Sequence, residues 1–173
     1  MRTLARAALT ALSLAACTRT GPEPAAPPGD GGWRSFEGTW NAAGDLRTIE
    51  TGPDRKAIVV DLSGSILLTG ERGLGAGFQA RAIAYNDGAT SVGRAVWTDE
   101  RGDRIFSELR GDASAPGKNL AGTITGGTGR WEGITGEYRF EWTWVVETEG
   151  RMQGRSVGLR GRARIAAPGE GSR

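Results

Sequence analysis

Hydrophobic and polar residues alternate with a period of two along most of the chain between residues 33 and 166. This period predicts β-strands that bury one face, and no window of the region sustains the 3.6-residue period of an amphipathic helix. Turn sequences such as Gly52-Pro53 and Asn86-Asp87-Gly88 separate the strands. The predicted strands are 33–40, 46–51, 56–62, 65–69, 77–85, 90–98, 104–110, 120–125, 137–147 and 153–165.

This pattern predicts an all-β fold built as a single antiparallel meander of about eight strands. The first two or three predicted segments are short enough to be parts of merged strands. A sandwich and a closed barrel are both compatible with the spacing. We favour the barrel, because closure leaves no open sheet edge in a chain that contains 29 glycines.

The two last predicted strands have clear faces. Phe140, Trp142, Trp144 and Val146 share one face of segment 137–147, and glutamates lie on the other. The turn at Glu149-Gly150 should make the last strand its antiparallel neighbour, so its arginines can form cross-strand ion pairs with those glutamates. An anion site built from the arginines is the alternative. On the last strand, Arg155, Val157, Leu159, Gly161, Ala163 and Ile165 alternate with Arg160, Arg162 and Arg164.

Six tryptophans are present in this small domain. Flat aromatic rings offer a large contact area to apolar or cyclic ligands, and the small side chains of Ala80, Ala82 and Ala84 would leave space opposite them. The sequence therefore suggests a hollow barrel, and a filled aromatic core is the alternative. The residues predicted to line a ligand pocket are Phe78, Phe140, Trp142 and Trp144.

Composition excludes several kinds of chemistry. The chain contains no histidine, which removes Ser-His-Asp and Cys-His catalytic systems and imidazole-bound metals. The acids Glu108, Glu137 and Glu141 are predicted to lie on external, arginine-bearing faces. Asp99, Glu100 and Asp103 could suggest calcium, but their spacing favours a hairpin turn. We therefore predict no catalytic residue, no cofactor-binding residue and no metal site.

The N-terminal residues are typical of an export signal, with Arg2 and Arg6 before a ten-residue apolar run that is too short to span a bilayer. Leu14-Ala15-Ala16-Cys17 resembles the bacterial lipobox, which implies lipidation of Cys17, the only cysteine. Thr18 in place of Asp favours sorting to the outer membrane, facing the periplasm, in a host with two membranes. The expected organisation is a signal peptide at 1–16, a lipidated tether rich in proline and glycine at 17–32, the barrel at 33–166 and a disordered tail at 167–173.

Charge gives no sign of a nucleic-acid partner. The precursor has a net charge of +2, and removal of residues 1–16 leaves 20 basic and 20 acidic side chains. A nearly neutral mature chain lacks the basic surface that nucleic-acid binding needs. The partners that we expect are the membrane, through the lipid on Cys17, and a small apolar ligand or a protein of the envelope.

The segment Gly126-Gly127-Thr128-Gly129-Arg130-Trp131-Glu132-Gly133-Ile134-Thr135-Gly136 is the most distinctive stretch. It resembles a segment of the allene-oxide-cyclase-like and dirigent-like β-barrels, which are calycin-like folds, and Asp99 to Asp103 resembles the hairpin that often accompanies it. Together these motifs lie within residues 77 to 148. The resemblance implies a barrel in which Gly127, Thr128, Gly129, Gly133 and Gly136 shape a tight loop. No working residue of either family can be placed on this chain.

Gly38-Thr39-Trp40 resembles the Gly-x-Trp of lipocalin-like and avidin-like barrels, which implies that Arg160, Arg162 or Arg164 packs across Trp40. The function expected from the whole sequence is non-catalytic binding of a small apolar ligand or of an envelope partner. The alternatives are a cyclase or isomerase that uses a carboxylate inside the barrel, and a purely structural interaction domain.

Overall fold

The computed structural model describes residues 32–69, 74–75, 77–111 and 118–166. The predicted signal peptide, Cys17, nearly all of the tether and the C-terminal tail lie outside the described residues. The strands are β1 Arg34–Gly52, β2 Arg55–Thr69, β3 Gly77–Asn86, β4 Ser91–Thr98, β5 Arg104–Gly111, β6 Asn119–Gly127, β7 Ile134–Thr148 and β8 Arg151–Ile165, with a 3-10 turn at Gly129–Trp131. Among the described residues, no helix is long and apolar enough to cross a membrane.

The eight strands form one antiparallel sheet in chain order, and pairing of β1 with β8 closes it into a barrel. This confirms the predicted fold class. Every strand, including the long strands β1, β2, β7 and β8, is hydrogen-bonded to a neighbouring strand on each side. The closed part of the sheet therefore has no unpaired edge.

Ten predicted segments became eight strands because glycines near residues 44 and 64 are not turn residues. In the β1–β2 register, Gly44 lies opposite Leu62 and Gly64 lies opposite Ala42. A β-carbon at Gly64 would lie 2.6 Å from the α-carbon of Ala42. Glycine at these positions allows β1 and β2 to approach closely along one continuous hairpin.

A bulge in β8 corrects the predicted face of that strand. The pairing with β7 shifts between Arg139 and Glu141, and Gly158 has a φ of +62°. The inward positions are therefore Met152, Gly154 and Ser156 before the bulge and Leu159 and Ala163 after it. The prediction that Arg155 and Val157 share the face of Leu159 is wrong, because the extra residue reverses the alternation.

The predicted ion pairing of β7 with β8 occurs at one position. Arg162 donates from Nε to Glu137 at 2.9 Å on the outer surface. Arg160 instead lies opposite Arg139 on β7 and Glu37 on β1. Among the described residues, the predicted external acids Glu108 and Glu141 also lie on the outer surface, where they pair with Arg94 and Lys118 at 3.1 and 3.6 Å.

Candidate functional site

The two ends of the barrel differ, and the difference defines the candidate site. The closed end contains the start of β1, the loop 99–103 and the loop 128–133; the open end contains the β3–β4 and β7–β8 turns. Large aromatic residues fill the closed half, where Phe78 lies 5.8 Å from Trp97 and 5.7 Å from Trp131 between ring centroids. Only a void of about 10 Å³ remains at the centre of the barrel.

A buried carboxylate ties the closed end together. The Oδ1 atom of Asp99 accepts the backbone N–H groups of Arg101 at 2.8 Å and Asp103 at 3.0 Å. Its Oδ2 atom accepts the indole N–H of Trp131 at 2.8 Å and the Nε–H of Arg130 at 2.6 Å. All four acceptor positions of the carboxylate are therefore occupied by donors of two separate loops.

The protonation state of Asp99 follows from these contacts. Burial alone would raise its pKa, but the hydrogen bonds from Arg101, Trp131, Arg130 and Asp103 outweigh this effect and lower the pKa to about 2. Asp99 is thus ionised at neutral pH and has no free oxygen lone pair for a metal or a substrate. Among the described residues, no three acidic, histidine or cysteine side chains are grouped to hold a metal ion.

The glycine-rich segment 126–136 positions the loop that donates hydrogen bonds to Asp99. The side-chain oxygen of Thr128 accepts the N–H of Arg104 at 3.0 Å. Gly129 and Gly133 have positive φ values of +57° and +73°, and a β-carbon at Gly127 would lie 2.7 Å from that of Trp131. The loop needs these glycines to seat Trp131 over the closed end.

Two other predicted motif glycines allow close strand packing. A β-carbon at Gly38 would lie 2.9 Å from the Leu68 side chain, and one at Gly136 would lie 2.9 Å from the Ala163 side chain. Trp40 is buried inside the barrel, but the expected arginine does not cover it. Arg162 and Arg164 both lie over Trp33, at 4.9 and 5.2 Å from its ring. The prediction taken from the Gly-x-Trp resemblance is therefore wrong on this point, because the arginines of β8 lie on the outer face and Trp40 lies on the inner face.

These contacts also remove the anion site considered for the three arginines of β8. Arg162 bonds Glu137 and stacks on Trp33 with Arg164. Two of the three guanidinium groups are thus already engaged, so they do not converge on a common anion.

The open half of the barrel contains an apolar cavity of about 160 Å³. No residue in its described lining carries a charge. The lining residues come from β1 to β7 and are Trp40, Ile58, Val60, Leu62, Ala82, Ala84, Asn86, Ser91, Leu109, Leu120, Phe140, Trp142 and Trp144. An apolar protein cavity of about 150 Å³ is large enough to hold benzene.

The structure places three of the four predicted pocket residues here. Phe140 and Trp142 are buried in the wall, and Trp144 is 43% exposed at the mouth. Phe78 does not line this cavity, because it lies near the start of β3 in the filled half. The three alanines of β3 are divided in the same way: Ala82 and Ala84 line the cavity, while Ala80 lines the central void.

Trp40 was predicted as a structural residue, yet it also lines the cavity. Its ring centroid lies 5.1 Å from that of Trp142, and the Trp142 ring packs edge-to-face with Trp144 at 5.6 Å. Three tryptophans thus form a continuous aromatic wall from the interior to the mouth. The inward parity of β1, counted from Phe36 through Gly38, is the sequence signal that could have identified Trp40 as a lining residue.

Two polar atoms of this wall have no partner. Within the part of the chain that the structure describes, the only buried side-chain nitrogen or oxygen atoms without a hydrogen bond are Nε1 of Trp40 and Nε1 of Trp142. A buried donor without an acceptor costs about 1–3 kcal/mol. By contrast, the indole N–H of Trp131 at the closed end is bonded to Asp99.

Comparisons with known proteins identify no family for this chain. No protein-family model matches the chain, and no curated protein matches it. Among solved structures it is similar to one described as pyocyanin demethylase, with a TM-score of 0.38 and 12% identity over 73% of this chain and 98% of that chain. A likeness at this level carries no argument about function, so the eight-stranded antiparallel barrel is what this chain is shown to be.

Proposed function

We propose that the open half of the barrel binds a small, apolar, cyclic ligand without catalysing a reaction. The observation that carries the proposal is the uncharged cavity of about 160 Å³ with an aromatic wall of three tryptophans. A cavity of this size takes a ring system and leaves the rest of a larger ligand at the mouth, beside the half-exposed Trp144.

The enzymatic alternative needs a carboxylate inside the cavity. Among the described residues, Asp99 is the only buried acid, and it lies at the closed end with all its lone pairs engaged. The described lining therefore offers no general acid or base, and binding is the better-supported function. This barrel remains compatible with the allene-oxide-cyclase-like and dirigent-like resemblance, which we retain as part of the proposal.

The proposal places this barrel in the bacterial cell envelope as a lipoprotein. It rests on the apolar run before Leu14-Ala15-Ala16-Cys17 and on Thr18, which favours the outer membrane and a periplasmic orientation. The intact mass of protein extracted from membranes should show diacylglycerol and acyl chains on Cys17. A Cys17→Ser variant should lose this added mass, and an unmodified wild-type protein in the soluble fraction would refute the anchor.

An envelope protein is the second candidate ligand, because Val145 and Val146 beside Trp144 are 59% and 50% exposed near the mouth. Exposed apolar residues in contact with one another are characteristic of interaction sites. A small ligand in the cavity would contact the buried Trp142, whereas a protein bound at the mouth would contact only the exposed residues.

Tryptophan fluorescence titration tests the proposal. The chain from residue 18 retains every strand of the closed barrel, and we expect naphthalene to quench its emission with a dissociation constant on the order of 10–100 μM, as a ligand of about ten atoms allows. The control is Ala84→Leu, which fills the cavity with an aliphatic side chain and should abolish quenching. Failure of naphthalene and of other apolar ring probes to quench the wild-type chain would refute ligand binding.

A further inference from the structure

The cavity has one polar edge. Its described lining is otherwise made of aliphatic and aromatic side chains, and the indole nitrogens of Trp40 and Trp142 are enclosed within the wall. The polar side chains that remain are those of Asn86 and Ser91. In a mostly apolar pocket, a few placed polar groups fix the orientation of the ligand. These two residues are therefore the part of the lining that can select a ligand by its chemistry.

Asn86 and Ser91 lie side by side at the open end of the barrel. Asn86 ends β3, Ser91 begins β4, and the two are paired directly in a register that contains no bulge. Asn86 has the inward parity of Ala84 on β3, and Ser91 has that of Ala95 on β4. Both side chains therefore belong to the inner face, next to the mouth of the cavity.

The hydrogen bonds of this edge leave donors for a ligand. The Oδ1 atom of Asn86 accepts the backbone N–H of Gly88 at 2.8 Å, which fixes the oxygen towards the β3–β4 turn. Within the described part of the chain, neither the Nδ2 group of Asn86 nor the hydroxyl of Ser91, a residue only 7% exposed, has a hydrogen-bond partner. Neither is among the enclosed, unbonded atoms of the barrel, in contrast to the two indole nitrogens.

The aromatic wall lies across the mouth from this polar edge. Trp142 and Trp144 are on β7, and β7 is four strands away from β3 in either direction around the closed sheet of eight. A flat ring can therefore pack against the tryptophans on one side, while a substituent at its outer end points towards Asn86 and Ser91 on the other.

We propose that the ligand is a neutral ring compound with one oxygen acceptor at its outer end, such as a carbonyl group, and that Asn86 Nδ2 and the Ser91 hydroxyl donate to this oxygen. The inference rests on the proposed function and narrows its ligand to one chemical class. The ligand is neutral because the described lining has no charged side chain to compensate an ionised group that loses its hydration.

The test compares 2-acetylnaphthalene with 2-isopropenylnaphthalene, which has the same shape but a CH₂ group in place of the carbonyl oxygen. We measure the ratio of the two affinities on the chain from residue 18, in the wild type, Asn86→Asp, Ser91→Ala and the double variant. Asn86→Asp keeps the acceptor for Gly88 and removes the amide N–H groups. We expect the ratio of acetyl to isopropenyl affinity to fall by about three- to tenfold in at least one single variant and in the double variant, as for loss of a neutral hydrogen bond.

Asn119→Asp is the matched control. It makes the same chemical change at the start of β6, where the side chain is exposed and lies outside the cavity lining. The ratio should stay within twofold of the wild type. A second readout needs no variant: in ¹H–¹⁵N spectra of the wild type, the side-chain amide resonances of Asn86 should move downfield with the acetyl compound and not with the isopropenyl compound.

The outcomes separate this inference from the proposed function. Binding of the isopropenyl compound with an unchanged ratio in all variants, and no downfield amide shift with the acetyl compound, would overturn the inference and leave ligand binding intact. An equal fall of the ratio in Asn119→Asp and Asn86→Asp would also overturn it, because the added charge would then be the cause. Absence of binding by either compound would overturn both proposals. If the variants do not fold, the wild-type amide spectra alone decide.

Discussion

The closed and open halves of this barrel use the same residue types in opposite ways. At the closed end, Trp131 fills space and its indole N–H is bonded to Asp99. At the open end, Trp40 and Trp142 line empty space and their indole N–H groups have no acceptor among the described residues. Packing and complete hydrogen bonding are what stability requires, whereas unfilled volume is a cost that a binding site can recover when its ligand arrives.

The contrast also shows that the most conspicuous sequence motif does not mark the candidate site. The Gly126–Gly136 motif is the most conspicuous pattern in the chain, but its contacts are internal to the closed end. The cavity has no comparable motif, because it is assembled from inward positions on seven strands. A prominent motif thus marks the structural half of this barrel, and the candidate function lies in the other half.

The largest effect is expected from a change in the filled half. Gly122→Ala places a methyl group where the Tyr138 ring packs, and the ring cannot move because it lies 4.9 Å from the Trp97 centroid. We expect a loss of about 3 kcal/mol and a melting temperature lower by roughly 10 °C. Gly52→Ala is the control, because the nearest atom to its β-carbon would be the Arg55 side chain at 3.9 Å. Thermal unfolding followed by circular dichroism measures both, and equal melting temperatures would contradict the packing.

The next effect concerns Asp99. Asn has one acceptor oxygen and one donor nitrogen, so Asp99→Asn would direct an NH₂ group at two N–H donors whichever way the amide is oriented. We expect the melting temperature to fall by about 5–10 °C. Glu100→Gln changes the exposed partner of the same arginine, which it contacts at 3.0 Å, and should have little effect. Similar losses for the two variants would show that Asp99 is not the organising residue.

A third test makes the same substitution, alanine to leucine, once in the filled half of the barrel and once in the open half. Ala80→Leu adds three carbons beside a void of only about 10 Å³ and should destabilise the protein by about 1–3 kcal/mol. Ala84→Leu adds them to the cavity and should leave stability unchanged or raise it by about 0.5–1 kcal/mol. Both residues lie on β3 and face inward, so chemical denaturation of the pair compares only the space around them. Equal destabilisation would mean that the open half is as full as the closed half.

The smallest effect is a dependence on acid. The pKa of Asp99 is lowered to about 2 from an ordinary value of 3.8, so its ionised form stabilises the folded chain fully above about pH 4. This contribution is lost as the pH falls from 4 towards 2, because the unfolded chain, in which the Asp99 carboxyl has its ordinary pKa, takes up the proton before the folded chain does. Denaturation at pH 7, 4 and 2.5 should show a steeper decline for the wild type than for Asp99→Asn. Asp61 beside Arg81 and Asp87 in its turn also have lowered pKa values, so part of the decline should persist in the variant.

Local features explain which sequence predictions succeeded. Alternation on β7 correctly placed Phe140, Trp142 and Trp144 on one face, since that face depends only on the two-residue period. It was wrong for Val146, because the pairing with β8 shifts between Trp144 and Val146 and puts Val146 opposite the outward Gln153. The same rule failed on β8, because Gly158 introduces a bulge that no alternation reveals. Alternation also divided β1 at Gly44 and β2 at Gly64, although merging of the first segments was expected, because glycine marks close strand contact there instead of a turn.

The sequence by itself determined the strands, the all-β class and the residues that can face inward, because these follow from side-chain period and turn chemistry along neighbouring residues. Only the tertiary structure decided which inward residues enclose empty space. Phe78 and Phe140 both face inward, yet one packs against Trp97 and Trp131 and the other borders the cavity. The sharing of Asp99 between two loops that lie about thirty residues apart is likewise a property of the closed barrel. Volume and hydrogen-bond partners depend on residues that are distant in the chain, and closure of the sheet is what brings those residues together.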